Sequence, residues 1–150
     1  MAKHLQCNPP AQGLAAVEFC LVLPLLLLLL AFPLYFGRSC YHYSVAQAAA
    51  TSAATFMSKA PLGDMINTTK APTALAVAKQ IVQEMTAELN PGPSKPFVAV
   101  DCVQHNCAGN FKPNVVRVSV EMTVDDIFFR DVTQLSLPIY VSITLPYLGR

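Results

Sequence analysis

The chain has 150 residues, of which 53% are hydrophobic and 13% are charged, and its formal net charge is +1. Its lysines and arginines are scattered singly, so composition and charge exclude a basic face for nucleic acid. The charged fraction lies well below the roughly 25% of soluble domains, which leaves room for one compact domain and a membrane segment.

The first predicted element is a membrane-spanning helix. In residues 14–36 Glu18 is the only charged residue, and residues 25–30 are an unbroken run of leucine. At 1.5 Å per residue this helix covers roughly 34 Å, enough to cross a hydrocarbon core of about 30 Å. Arg38 and the aromatic residues around it are typical of the membrane–water interface.

Two properties of this segment stay open on the residues alone. A cleaved secretory signal peptide is an alternative, with Lys3 in its positive region and processing at the small residues 46–50, although the apolar run is long for it. The orientation is also open, because Lys3 favours a cytoplasmic N-terminus and Arg38 favours the opposite.

The membrane helix is expected to continue beyond the bilayer. Residues 39–59 contain no helix breaker and are rich in alanine, which predicts a helix that ends near Ala60. Small residues let another helix or a sheet approach closely, so this stretch is either a plain spacer or a packing face for partner subunits. The small residues are Ala46, Ala49, Ala50, Ala53 and Ala54.

A second helix is predicted after a loop over residues 61–72. Residues 73–89 have the period of an amphipathic helix. Its apolar face packs into a core or offers a groove to a partner. That face consists of Leu75, Ala78, Val82, Met85 and Leu89, and Thr86 lies away from it.

Three strands are predicted at residues 97–103, 116–124 and 139–145. The last two alternate between apolar and polar residues, which indicates a sheet with one buried and one solvated face, and therefore an antiparallel sheet. Either helix, or both, would cover the buried face. The predicted fold class is α+β: a long N-terminal transmembrane helix, a small antiparallel sheet head and one covering amphipathic helix.

The residues predict no catalytic set, no enzyme activity and no cofactor, since no histidine lies near a nucleophile motif or a Gly-rich phosphate loop. CVQHNC (102–107) offers two thiols and an imidazole but no fourth metal ligand in a recognised spacing. We therefore expect a disulfide between Cys102 and Cys107, in an oxidising compartment, rather than a metal site.

The segment before the membrane helix carries a specific order of residues. MAKHLQCNPPAQG is short and polar and ends at Gly13, and Glu18 and Phe19 follow within AAVEF. This order resembles the prepilin family, in which a membrane aspartic protease cuts after a glycine on the cytoplasmic side. The mature prepilin then has a glutamate at its fifth position, as Glu18 would be here.

A closer resemblance extends over about residues 13–55. The leucines interrupted by Pro24, the Phe-Gly-Arg at 36–38 and the alanine-rich helix resemble the TadE-like proteins, minor pseudopilins of the tight-adherence (Flp) pilus system. The resemblance implies a pilin-like fold and a structural, non-enzymatic pseudopilin required to assemble an adhesion pilus. It implies a cut by a prepilin peptidase between Gly13 and Leu14.

The same resemblance implies the topology and the partners. Residues 1–13 would be the leader, 14–59 the transmembrane and stalk helix, and 60–150 a periplasmic head. The chain would cross the bacterial inner membrane once, with a cytoplasmic N-terminus. Its partners would be the prepilin peptidase, other pilin or pseudopilin subunits, the Tad inner-membrane assembly platform and the lipid bilayer.

The implied cleavage after Gly13 suggests a role for Glu18 in pairing with a new amine. A carboxylate at membrane depth costs about 2.5–3.5 kcal/mol on insertion scales, and cleavage creates an amine on Leu14. Pairing of Glu18 with the Leu14 amine of an adjacent subunit would set the stagger of the helices. The alternatives are a Glu18 that reaches the headgroups, and an uncleaved, signal-anchored protein with a periplasmic interaction domain. An exported soluble protein is a third reading.

Overall fold

The computed structural model describes residues 12–89, 95–102, 107, 109–126 and 136–149. The chain divides into two compact units, Met1–Phe36 and Gly37–Arg150. The described elements are α1 (Gln12–Lys59), α2 (Leu62–Ile66), α3 (Ala71–Thr86), a 3-10 turn (Ala87–Leu89), β1 (Phe97–Cys102), β2 (Val115–Asp125) and β3 (Ser136–Pro146). The boundary between the units falls within α1, so the second unit contains the last part of α1 as well as the head. The predicted division at residues 13 and 59 stays a prediction.

In the first unit, α1 exposes large apolar side chains on all its sides. Within the described residues, α1 is the one helix long and apolar enough to cross a membrane. A helix that packs in a water-soluble core would bury one stripe instead. Pro24 and Pro33 lie inside it, which a transmembrane helix tolerates when neighbouring groups satisfy the freed carbonyls. The exposed residues are Val17, Phe19, Leu21, Val22, Leu23, the leucines 25–30, Phe32, Leu34 and Phe36.

The second unit contains a three-stranded antiparallel sheet in the order β1-β2-β3. In its middle, Val118 pairs with Val100 on β1 and with Ile143 on β3. The valines of β2 that alternate along the predicted apolar face, from Val116 to Val124, are fully buried. The antiparallel sheet and the α+β fold class with one helix able to span a membrane are therefore confirmed.

Both the last part of α1 and α3 cover this apolar face. The predicted small residues of α1 have no exposed surface, and they belong to one hydrophobic cluster with Val82 of α3 and the valines of β2; they are Ala46, Ala49, Ala50, Ala53 and Ala54. The interpretation of this alanine face as a surface for partner subunits, or as a plain spacer, is wrong. The alanines are instead buried in the chain's own hydrophobic cluster, which also contains α3 and the sheet.

The predictions for residues 61–89 need two corrections. The expected loop contains α2, which follows Pro61 and buries Met65 in the core. The apolar face of α3 includes Thr86, which is 1% exposed, whereas Met85 is 40% exposed. Thr86 can be buried because its hydroxyl donates to the carbonyl oxygen of Val82 at 2.7 Å.

The C-terminal strap, residues 147–149, ties the end of α1 to the start of β2. The Leu148 amide donates to the Ser58 carbonyl oxygen at 2.8 Å, and the Tyr147 amide donates to the Asn114 carbonyl oxygen at 2.9 Å. At the opposite end of β2, Arg38 contacts Asp125. Strand β2 and the last part of α1 thus run in opposite directions, with polar contacts at both ends.

Candidate functional site

The candidate assembly site lies in the first turns of α1. The helix begins at Gln12, so Gly13 and Leu14 occupy its first turn. Glu18 follows four residues after Leu14, which places both residues on one face, about 6 Å apart along the helix axis.

Glu18 is a charge on an otherwise apolar surface. Glu18 is exposed, and so is Phe19 beside it, at 65%. Among the described residues the only ion pair joins Lys70 to Asp64, at 3.0 Å. Within that part of the chain no cation neutralises the Glu18 carboxylate, so any partner for it comes from elsewhere.

Arg38 lies just beyond the apolar segment and contacts the head. Its Nη1 donates to the backbone carbonyl oxygen of Asp125, the last residue of β2, at 3.2 Å. The guanidinium predicted as an interfacial anchor is therefore partly buried. Exposed aromatic side chains remain for that role at Phe36, Tyr41 and Tyr43.

One turn after Arg38, His42 joins α1 to the end of the α3 segment. The His42 ring is 3% exposed, with Nε2 at 3.1 Å from the Leu89 carbonyl oxygen and Nδ1 at 3.2 Å from the Arg38 carbonyl oxygen. A neutral imidazole carries one N–H, so it donates to only one of these oxygens. Burial, and then the nearby Arg38 charge, lower the pKa of His42 below its ordinary value of 6.5.

The sequence prediction assigned no role to His42. A signal for it was present, since residue 42 is one turn before Ala46 and continues the inward face of the alanines. Only the fold, however, identifies the Leu89 carbonyl as its partner.

The connection between β1 and β2 contains the predicted bond between Cys102 and Cys107. The structure joins these two buried residues in a disulfide, with 5.1 Å between their Cα atoms. The oxidation state of the two thiols in the cell stays a prediction. Among the described residues no group of three or more His, Cys, Asp or Glu side chains could hold a metal, and His105 lies outside those residues.

The residues after this disulfide contact the link between α2 and α3. The Asn110 amide donates to the Ile66 carbonyl oxygen at 2.8 Å. Gly109 has a φ of 93°, and a Cβ there would lie 2.8 Å from the Thr68 amide nitrogen. Glycine is required at this position by both the backbone conformation and the close approach.

Comparison with protein families concerns the first part of the chain. The family model described as TadE-like protein matches residues 13–55. This segment is TadE-like. The TadE-like segment includes the glycine, Glu18 and Phe19 of the candidate assembly site, and it ends within the buried alanine face.

The TadE-like match associates the chain with the tight-adherence pilus system, whose proteins of this kind are structural. Neither a curated protein nor a solved structure gives a significant match. The head beyond residue 55 lies outside the family match, so its role has to be argued from its own residues.

Proposed function

We propose that the chain is a pseudopilin, cut by a prepilin peptidase after Gly13 and required to assemble a tight-adherence (Flp) adhesion pilus. The observation that carries the proposal is Glu18, a carboxylate exposed on an apolar helix at the fifth position after Gly13. Its place inside the TadE-like match supports a role in assembly. The function is structural and non-enzymatic.

The mechanism couples processing to assembly. Cleavage creates a positive amine on Leu14, and the Glu18 carboxylate of the adjacent subunit neutralises it within the membrane. Since each isolated charge is penalised in lipid, the pair forms only where two helices are correctly staggered. Breaking one half of a buried pair costs about 3–5 kcal/mol, and a site near the headgroups lies at the low end.

The topology follows from the same processing. The leader, residues 1–13, remains cytoplasmic, because the peptidase acts on that side of the inner membrane. Residues 14–36 cross the bilayer, and residues 60–150 form a periplasmic head. The disulfide of the head supports this orientation, because disulfides persist in the oxidising periplasm.

The partners in this proposal are the prepilin peptidase, other pilin or pseudopilin subunits, the Tad inner-membrane assembly platform and the lipid bilayer. The exposed apolar surface of α1 contacts lipid before assembly and neighbouring helices afterwards. The alanine face is not available to them, because the chain's own sheet covers it.

N-terminal sequencing of the membrane-extracted protein tests the proposal. The pseudopilin predicts Leu14 as the first residue. Met1 or Ala2 would support an uncleaved signal anchor, and a residue beyond Phe36 would support an exported protein; either result refutes the proposal.

A pair of glycine variants tests the cleavage position. Gly13→Val should leave only the full-length chain, since a side chain at the cut obstructs the extended backbone that the protease reads. Gly37→Val is the matched control, because a Cβ at Gly37 meets no atom within 4 Å in the same helix. Mature-size protein in the Gly13 variant would contradict the assigned site.

A further inference from the structure

The face of the sheet opposite the helices carries a row of three neighbouring side chains. Phe97 of β1 pairs with Glu121 of β2, and Glu121 pairs with Tyr140 of β3. Side chains of directly paired residues lie on the same face with Cβ atoms about 4.5–5.5 Å apart. Phe97 is 65% exposed and Tyr140 is 63% exposed. We call these three residues the outer row.

The Tyr140 ring is held in place by hydroxyl groups. Its phenol donates to the Ser119 Oγ at 3.3 Å, and the Ser119 hydroxyl donates to the Ser142 Oγ at 3.2 Å. Ser119 is only 8% exposed although it belongs to the outer face. The phenol is therefore fixed against the sheet, while most of the ring surface is open to solvent.

Glu121 lies between Phe97 and Tyr140 in the row, and its side chain is exposed. The only ion pair among the described residues joins Lys70 to Asp64, so no described cation neutralises Glu121. Aromatic ring faces carry a partial negative charge. The outer row thus presents a full negative charge flanked by two surfaces that also attract cations.

We propose that the outer row binds an arginine side chain of a partner polypeptide. A guanidinium is planar and weakly hydrated, stacks on aromatic faces and donates paired hydrogen bonds to a carboxylate. Strands β1 and β3 are about 10 Å apart across β2, so Phe97 and Tyr140 belong to strands on either side of Glu121 and one bound group can reach all three residues. The negative charge of Glu121 favours an arginine side chain over a neutral saccharide. A saccharide would need only aromatic rings to stack on and hydroxyl groups to hydrogen-bond.

This site is independent of the proposed pilus function. Its residues lie outside the TadE-like segment and take no part in cleavage or in the pairing of Glu18. It gives the head a specific recognition surface of its own.

The test is an NMR titration of the full-length chain, ¹⁵N-labelled in detergent micelles, with acetyl-Gly-Arg-Gly-amide as the probe. We expect saturable shifts of the Phe97, Glu121 and Tyr140 amides. The same peptide with citrulline, which keeps the shape of arginine without its charge, should bind at least severalfold more weakly.

Substitutions in the outer row test whether the arginine peptide binds there. Glu121→Gln should weaken binding of the arginine peptide by about two- to fivefold, and so should Tyr140→Leu. Glu88→Gln is the matched control, because Glu88 is an exposed carboxylate on a different element and should leave binding unchanged. An unaltered ¹⁵N spectrum outside the row shows that the variants fold.

Three results would overturn the proposal. The first is no shift at the row at any peptide concentration. The second is equal binding of the arginine and citrulline peptides, which would leave apolar stacking alone. The third is a stronger response to chitotriose than to the arginine peptide, which would identify a saccharide surface.

Discussion

The Tyr147 hydroxyl donates a hydrogen bond of 2.6 Å to the backbone carbonyl oxygen of Ala60, a residue 87 positions earlier in the chain. Helix α1 ends at Lys59, and the last carbonyls of a helix have no partner within it. The Leu148 amide supplies such a partner to the Ser58 carbonyl oxygen, and Tyr147 binds the carbonyl of the residue that follows the helix. The C-terminal strap thus fastens the end of α1 to the sheet.

Removal of the Tyr147 hydroxyl should destabilise the head. Tyr147→Phe keeps the buried ring but leaves the Ala60 carbonyl without this donor, so we expect a loss of about 1–2 kcal/mol in the free energy of unfolding. Urea denaturation of the full chain in micelles measures it. Tyr43→Phe is the control, because Tyr43 is 48% exposed. Equal losses in the two variants would contradict a specific role for the Tyr147 contact.

Acid should weaken the junction between α1 and the end of α3. Burial and Arg38 lower the pKa of His42, so the unfolded chain takes up a proton at higher pH than the folded chain. The stability contributed by neutral His42 is therefore complete above pH 6.5 and is lost as the pH falls from 6.5 through the lowered pKa of the folded state.

His42→Gln separates this effect from the other histidines. A glutamine amide donates to the Leu89 carbonyl at any pH but does not titrate. Denaturation midpoints at pH 7.5, 6.5 and 5.5 should decline more steeply for the native chain than for the variant. Parallel declines would assign the acid sensitivity to other groups.

Substitution of Glu18 should separate membrane insertion from assembly. Glu18→Gln should insert at least as well as the native chain, because it removes a charge from the apolar segment. Leader removal should persist, since the proposed cut lies several peptide bonds away. Pilus-dependent surface adhesion should fail or weaken, because the Leu14 amine of the adjacent subunit loses its partner.

Insertion, leader removal and adhesion are measured in one strain, with Cys20→Ser as a polar control in the same turn of helix. Cys20 is exposed and unbonded, so this variant should adhere normally. Normal adhesion with Glu18→Gln would exclude the pairing mechanism and leave Glu18 as a side chain that reaches the headgroups. An adhesion defect in both variants would point to the helix surface rather than to the charge.

The disulfide should be present in periplasmic material and should contribute to stability. Its cysteines are five positions apart, and closure of so short a loop stabilises a fold by about 2 kcal/mol in the chain-entropy account. Cys102→Ser should lower the denaturation midpoint accordingly, whereas Cys40→Ser, at an exposed thiol, should not. Mass spectrometry that finds both Cys102 and Cys107 as free thiols would refute the bond.

The sequence predicts the periodic elements of this fold well, because each pattern reports a local environment. Alternation along residues 116–124 reports a sheet with one buried face, and the structure extends that strand by one residue at each end. The exposed apolar side chains of α1 likewise follow from the leucine run. These predictions do not depend on which helix packs against which face of the sheet.

The incorrect predictions concern residues whose burial or hydrogen-bond partner depends on which other element packs against them. The alanine pattern between Ala46 and Ala54 indicates that another element packs closely against this face, and only the fold shows that the face is buried in the chain's own core. The burial of Thr86 and the contact of His42 with Leu89 depend in the same way on tertiary packing. The proposed pairing of Glu18 with an amine is intermolecular, so a single chain does not contain its geometry.

The hydrophobic cluster that α1 shares with the last strand has a consequence for biogenesis. Val141 of β3 shares the hydrophobic cluster with the alanines of α1, although most of the chain separates them. Helix α1 is synthesised before the sheet, so the cluster that buries its alanines is incomplete until β3 has been synthesised. Contacts between such distant segments form late in folding. A truncation within β3 should therefore leave the core of the head incomplete and its apolar side chains exposed.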